Sequence, residues 1–274
     1  MSSDESSRPW DRPEKDPMED IDTSVPQSAR IWNYWLGGKD NYAVDRAAGD
    51  QVLRVYPEMP DAARAARHFI ARVVRYLAGE AGIRQFLDIG TGLPTVDNTH
   101  EIAQRVAPEA KIVYVDNDPL VLAHARALLT GSAEGVTVYI DADLHQPETI
   151  LEQAGRTLDF DRPTALMLMG ILGHIDYDEA LSIIPRLMDR LAPGSHLGIY
   201  DFTDTSEGVR NAERLYEESG TLPYHPRPIE KIEGFFHGLD LVPPGVVHVP
   251  DWRPDPSPFT GPRVDVAGGV ARKP

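Results

Sequence analysis

From residue 84 to residue 200 the chain alternates short apolar runs with helix-patterned stretches, and no other feature constrains its fold as much. The runs Gln85–Ile89, Lys111–Val115, Val136–Ile140, Ala165–Met169 and His196–Tyr200 are strand-length and apolar enough to be buried on both faces. Helical patterns lie between them, near 98–107, 120–130, 147–156 and 178–191. Strands separated by helices pair in parallel, through right-handed crossovers that place helices on both faces of the sheet. The expected class is therefore α/β, a doubly wound and mostly parallel sheet. A helix near 206–219 follows. Residues 239–250 and 264–273 then read as late strands, an antiparallel edge pair with a Pro-rich loop over 250–262 between them.

Composition narrows the chemistry. The 274 residues include no cysteine, which excludes disulfides, thiolate metal sites and a cysteine nucleophile. The nine histidines are scattered without ligand spacing, so no metal site is expected. With 43 acidic against 27 basic residues, the net charge of −16 argues against a nucleic-acid partner. The N-terminus has no apolar leader, and the most apolar run, Ala165 to Leu172, is far short of a membrane span. A cytoplasmic protein without membrane contact is expected; the sequence leaves its oligomeric state open.

Three regions precede or form the sheet. Residues 1–20 are polar and charged, seven acidic against three basic, and read as a flexible tail. Residues 21–82 read as a helical extension. Its first helix places Ile31, Tyr34 and Trp35 on one face and stops at Gly37-Gly38; a second starts near Asp45. A third, over 60–79, turns Phe69, Val73, Val74 and Leu77 inward and Arg64, Arg67, Arg72 and Arg75 outward. Those arginines read as a solvated face, with an anion-binding patch as the alternative. Residues 83–274 are the sheet domain.

The first strand runs through Asp88 into Gly90-Thr91-Gly92-Leu93-Pro94-Thr95. Glycines there let the backbone approach a ligand, and the helix that follows offers free N–H groups. A dinucleotide fingerprint would carry a glycine at Thr95. A carboxylate at Asp88 repels a pyrophosphate and suits an ammonium group. S-adenosylmethionine carries an ammonium and a sulfonium and no phosphate, so Asp88 points to it rather than to a nicotinamide dinucleotide; the plainer role is bonding loop amides. Asp116, 28 residues on at the end of the second strand, is placed to accept hydrogen bonds from both ribose hydroxyls. Asn117 adjoins it, and Asp118-Pro119 fits the cap and first turn of the next helix. After the third strand, Asp143 is placed for the adenine amino group and Leu144 for the ring, or else Asp143 simply caps the helix at 147.

These residues together resemble the class I S-adenosylmethionine-dependent methyltransferases, as does the Leu191-Ala192-Pro193-Gly194-Ser195 turn before the fifth strand. The segment from Ser28 to Tyr42, with Asp45-Arg46, and the C-terminal stretch Gly245–Arg253 resemble a bacterial S-adenosyl methyltransferase family formerly catalogued as a domain of unknown function. The resemblance covers roughly 22–274. It implies a Rossmann-like, seven-stranded sheet with an antiparallel edge, S-adenosylmethionine as cofactor and S-adenosylhomocysteine as product. It does not imply an acceptor, and a small molecule is expected. Pro94 departs from the pattern, standing where the common loop has a third glycine and donating no N–H.

The N-terminal segment is the expected lid. Trp32, Tyr34, Trp35 and Tyr42 are candidates to cover the sulfonium and the acceptor, with hydrophobic packing as the alternative. Lys39, Asn41 and Arg30 are candidates for the cofactor carboxylate, with turn formation as the alternative. Backbone at Met169 and Gly170, ending the fourth strand, is placed to meet the cofactor. His174 and Tyr34 are the catalytic candidates, and Asp201 a weaker one; a buried, hydrogen-bonded histidine is the plainer role for His174. Two other functions remain open on sequence: a cofactor-binding regulatory protein without turnover, and a nicotinamide-dependent oxidoreductase.

Overall fold

The computed structural model describes residues 21–95, 97–128, 132–256 and 262–274. The expected tail over 1–20 lies outside them. The strands are β1 (Gln85–Ile89), β2 (Lys111–Asp116), β3 (Val136–Asp141), β4 (Ala165–Met169), β5 (His196–Phe202), β6 (Asp240–Leu241), β7 (Val247–His248) and β8 (Val266–Arg272). They form one sheet ordered β3-β2-β1-β4-β5-β8-β6, with β7 also paired to β8. Strands β1 to β5 are parallel, and β8 runs antiparallel to β5.

The sheet has eight strands where the sequence predicts seven. The run over 239–250 is not one strand but two of two residues each, both paired to β8. Pro243 and Pro244 stand between them, and proline supplies no N–H to a ladder.

The helices are α1 (Ser28–Trp35), α2 (Ala43–Val55), α3 (Met59–Arg75), α4 (Thr99–Val106), α5 (Pro119–Leu128), α6 (Pro147–Ala154), α7 (Tyr177–Asp189), α8 (Glu207–Glu218) and α9 (Ile229–Gly234). Alternate residues of the buried strands feed opposite layers. Phe86, Ile112 and Met167 join one buried cluster with Ile31, Val52, Phe69 and Ile102 from α1 to α4. Leu87, Val113 and Leu166 join the other with Ile150, Ile183 and Ile232 from α6, α7 and α9. Both faces are covered, as parallel strands require. The N-terminal helices therefore share the core of the sheet.

Local signals place the termini. Asn98 and Glu101 form a capping box on α4. Asp118 accepts the Leu120 N–H at 2.8 Å and Pro119 opens α5, as the sequence predicts. Strand order reverses between β1 and β4, so the turns after them, at Gly90 and Gly170, flank the crevice where such sheets bind ligands.

Candidate active site

The turn after β1 needs its glycines. Gly90 has φ +75°, and a Cβ there would lie 2.6 Å from the Ile171 side chain. Gly92 has φ +63° and open space where a Cβ would project. The backbone at Gly92 can thus be approached closely by a ligand.

Two carboxylates stand beside this turn. Asp88 is buried, and its Oδ2 accepts the Thr99 hydroxyl at 2.7 Å. Asp116 accepts the Gly92 N–H at 2.9 Å and the Asp118 N–H at 3.0 Å. Burial pushes both carboxyls up to about 6; the Thr99 hydroxyl opposes the shift at Asp88 and backbone N–H groups oppose it at Asp116. Two desolvated carboxylates around a glycine turn match a cationic, phosphate-free ligand and repel a pyrophosphate. The residues fit S-adenosylmethionine on that ground.

One continuous cavity joins this turn to the helices above it. Asp88, Gly90, Thr91, Gly92, Asp116 and Asn117 line one end, and Met169 and Gly170 line its floor. The Thr91 hydroxyl meets the Tyr139 phenol at 2.6 Å. Gly170 has φ +81°, and a Cβ there would press on the Tyr200 ring at 2.8 Å. The far end is aromatic, walled by Trp32, Trp35, Phe202, Tyr216 and Tyr224. Trp32 stands edge-on to Trp35 at 6.0 Å and to Phe202 at 6.1 Å.

Several expected residues fall outside this cavity. Asp143 instead takes the His145 backbone N–H at 2.9 Å and the Asn117 amide at 3.3 Å, which leaves it one hydrogen bond behind the wall. Leu144 is buried among the aliphatic residues of the α6–α7 layer. The Tyr34 phenol donates to Asp50 at 2.6 Å, away from the cavity. Lys39 is exposed. The Asn41 amide donates to Asn33 Oδ1 and to the Gly38 carbonyl, both at 3.0 Å, so it builds the turn. Gly38 is required there, since a Cβ would collide with Asn33 at 2.4 Å. Arg30 is committed to a buried ion pair with Asp45 at 3.1 Å and donates to the Asp22 and Val25 carbonyls.

The arginines of α3 do not form one solvated face. Arg72 donates to the Trp252 and Val249 carbonyls, and Arg75 pairs with Asp255. Arg67 lines the cavity, donates to the Asp97 carbonyl at 3.1 Å and pulls the Asp88 carboxyl downward.

His174 lines the cavity in a defined tautomer. Its Nδ1 lies 2.8 Å from the Pro223 carbonyl, which only accepts, so Nδ1 carries the proton. Its Nε2 lies 3.1 Å from the Ser28 hydroxyl, which donates to it. Burial lowers the imidazole pKa, with the Pro223 carbonyl opposing and His225 and Arg227 adding to the effect. Asp201 is not open to the cavity. It pairs with Arg227 at 2.8 Å and accepts the Tyr224 hydroxyl, fixing the segment that carries Pro223.

Ser28, Asn33, Arg67, Tyr216 and Tyr224 are among the cavity residues whose place the sequence did not reveal. Ser28 and Asn33 lay within the N-terminal segment singled out by resemblance, and Arg67 within the arginine face whose alternative reading was an anion-binding patch; Tyr216 and Tyr224 carried no local signal.

The strand order, the glycine turn and the acidic ends of β1 and β2 define a Rossmann-like methyltransferase. A family model described as S-adenosyl methyltransferase matches residues 14–274, and the chain belongs to that family, whose cofactor is S-adenosylmethionine. A DUF574-family protein from Streptomyces avermitilis is 45% identical, with a TM-score of 0.89 over 92% of this chain and 99% of its own. A candidate methyltransferase from Thermobifida fusca is 41% identical, with a TM-score of 0.86 over 92% of this chain and 96% of its own. The magnesium protoporphyrin IX methyltransferase of Synechocystis, solved with S-adenosylmethionine bound, shares the fold at 14% identity and a TM-score of 0.52, over 96% of this chain and 99% of its own. Among curated proteins, none matches the chain. No helix among the described residues is long and apolar enough to cross a membrane.

Proposed function

We propose that the protein transfers a methyl group from S-adenosylmethionine to a small-molecule acceptor held at the aromatic end of the cavity. The observation that carries this reading is the continuity of the cavity from Asp116 and Gly92 to Trp32 and Tyr224. A cofactor site and an acceptor site in one continuous space are what a direct displacement needs.

Asp116 accepts hydrogen bonds from the ribose, and Asp88 faces the ammonium group. Backbone at Gly90, Thr91, Gly92, Met169 and Gly170 packs along the cofactor, with Asn117 toward the adenine and Asp143 behind it, accepting from the Asn117 amide. Arg67 faces the carboxylate, the role the sequence offered to Lys39, Asn41 and Arg30. When bound, S-adenosylmethionine supplies a methyl group already activated on a sulfonium. The protein then contributes alignment, worth about 7–11 kcal/mol of barrier in favourable cases. Trp32 adds cation–π attraction of about 0.5–2 kcal/mol and helps exclude water.

Calorimetric titration with S-adenosylhomocysteine, followed by transfer of labelled methyl to a panel of small acceptors, tests the reading. Binding at one site and label in an acceptor support it. No binding at millimolar ligand, or tight NADH binding in its place, refutes it. Binding without label in any acceptor favours the regulatory alternative.

A further inference from the structure

We propose that the acceptor is a flat, largely apolar molecule bearing a weakly acidic O–H or N–H, and that Ser28 and His174 form the relay that receives its proton. This rests on the methyltransferase reading above and adds the acceptor class and the path of the proton.

The shape argument comes from the walls. Beyond the cofactor turn, five aromatic side chains, Trp32, Trp35, Phe202, Tyr216 and Tyr224, enclose the space. Flat apolar surfaces bind well against such walls, by offset or edge-on contact. At the rim, Leu222 is 59% exposed, an apolar side chain left in water where an acceptor would enter.

The polar argument comes from one pair. Ser28 and His174 both line this cavity, 3.1 Å apart, although 146 residues separate them in sequence. The Pro223 carbonyl fixes the imidazole proton on Nδ1, so Nε2 is a bare acceptor. Ser28 therefore spends its proton on His174 and presents oxygen lone pairs to the cavity. The pair can take a proton from an acceptor; it has no free proton to give one. A carboxylate or other anionic acceptor would meet those lone pairs with the wrong charge.

The groups facing the pair agree with this. Tyr224 packs edge-on against His174 at 4.9 Å, and the Tyr216 phenol lies near Ser28. His225 and Arg227 lie near enough to act on the imidazole and favour its neutral form, and Glu213 pairs with His225 at 3.3 Å. His174 is thus unprotonated and able to accept at neutral pH.

The step balances. The acceptor heteroatom forms its bond to the methyl carbon, and the electron pair of the broken sulfur–carbon bond stays with the departing thioether. The heteroatom's proton passes to Ser28 Oγ as the Ser28 proton passes to His174 Nε2. One positive charge is lost as the sulfonium becomes a thioether, and one appears as the imidazolium. No new buried charge is created, which removes the main objection to protonating a desolvated histidine.

The test uses two probes of nearly equal shape, 4-methylphenol and 4-methylanisole, titrated at neutral pH into the full chain saturated with S-adenosylhomocysteine. The first is un-ionised there and has the proton to give; the second does not. In the wild type both bind. Ser28→Ala and His174→Gln each weaken 4-methylphenol about tenfold, the loss of one hydrogen bond to a strong acceptor. Both leave 4-methylanisole unchanged within about twofold. A structural role for His174 would weaken the two probes alike, and that result overturns the relay. If His174→Gln does not fold, Ser28→Ala alone decides by the same comparison. Failure of both probes to bind overturns the acceptor class. Failure of S-adenosylhomocysteine to bind in the first place refutes the methyltransferase reading instead, so the two failures are distinct.

Discussion

Replacing Asp116 by alanine should weaken S-adenosylhomocysteine binding by about two orders of magnitude. The carboxylate holds the Gly92 N–H at 2.9 Å and the Asp118 N–H at 3.0 Å, so both of its oxygens are aimed by backbone donors at the end of β2. Its remaining lone pairs face the cavity, where two ribose hydroxyls would donate to them. A hydrogen bond to a charged group contributes about 1.5–3 kcal/mol, and two of them about 3–6 kcal/mol before hydration of the free ligand is deducted. A net loss of about 3 kcal/mol corresponds to a little over a hundredfold in Kd. Asp116→Asn keeps one oxygen acceptor and should lose about tenfold. The assay is calorimetric titration of both variants above pH 7, where the wild-type carboxylate, with its pKa near 6, is ionised. Thermal melting of the free proteins controls for damage to the turn. An alanine variant that melts like the wild type and binds within about threefold of it would refute the placement of the ribose.

Cofactor affinity should also depend on pH. Burial pushes the Asp88 and Asp116 carboxyls up to about 6, and the proposed ammonium group and ribose hydroxyls would bind their ionised forms. Binding therefore releases protons below that pH, so affinity falls as pH drops through about 6 and levels off above it; calorimetry in buffers of differing ionisation heat measures the release, and a flat profile contradicts the assignment. Asp45→Ala should destabilise the chain by about 3–5 kcal/mol in urea unfolding, because it strands the buried Arg30 guanidinium and also removes the acceptor of the Gln27 and Tyr42 N–H groups. A loss under about 1 kcal/mol would show that the pair is not buried as described. Gly90→Ala combines an unfavourable φ of +75° with a contact of 2.6 Å to Ile171, so it should abolish detectable cofactor binding; wild-type affinity in that variant would contradict the turn geometry.

What the sequence revealed follows from the range of the interactions. Strands β1 to β5, the glycine turn and the cap at Asp118 are set by local pattern, and each lies where the residues predict. The acidic ends of β1 and β2 could be placed on one edge because parallel strands all end on the same side. Residues whose partners are distant in sequence were not legible. Arg30 looked like a ligand for a carboxylate and is instead held by Asp45, since a cation in an aromatic segment reads the same whether its anion is a cofactor or a side chain. Arg67 sits among arginines that look outward, and only the packing of α3 against the sheet turns it toward the cavity. Ser28 meets His174 across 146 residues, a pairing that no spacing rule reaches. The short β6 and β7 and the six-residue α9 fall below the length at which periodicity can be read.

The central claim is that S-adenosylmethionine lies along the turn after β1 with its methyl group aimed at the aromatic end of the cavity. A crystal structure of the chain with S-adenosylhomocysteine tests it most directly. The account predicts ribose hydroxyls on Asp116, the amino group beside Asp88, the carboxylate toward Arg67, and the sulfur open to the space between Trp32 and Ser28. A ligand bound elsewhere, or one whose sulfur faces away from that space, would contradict it.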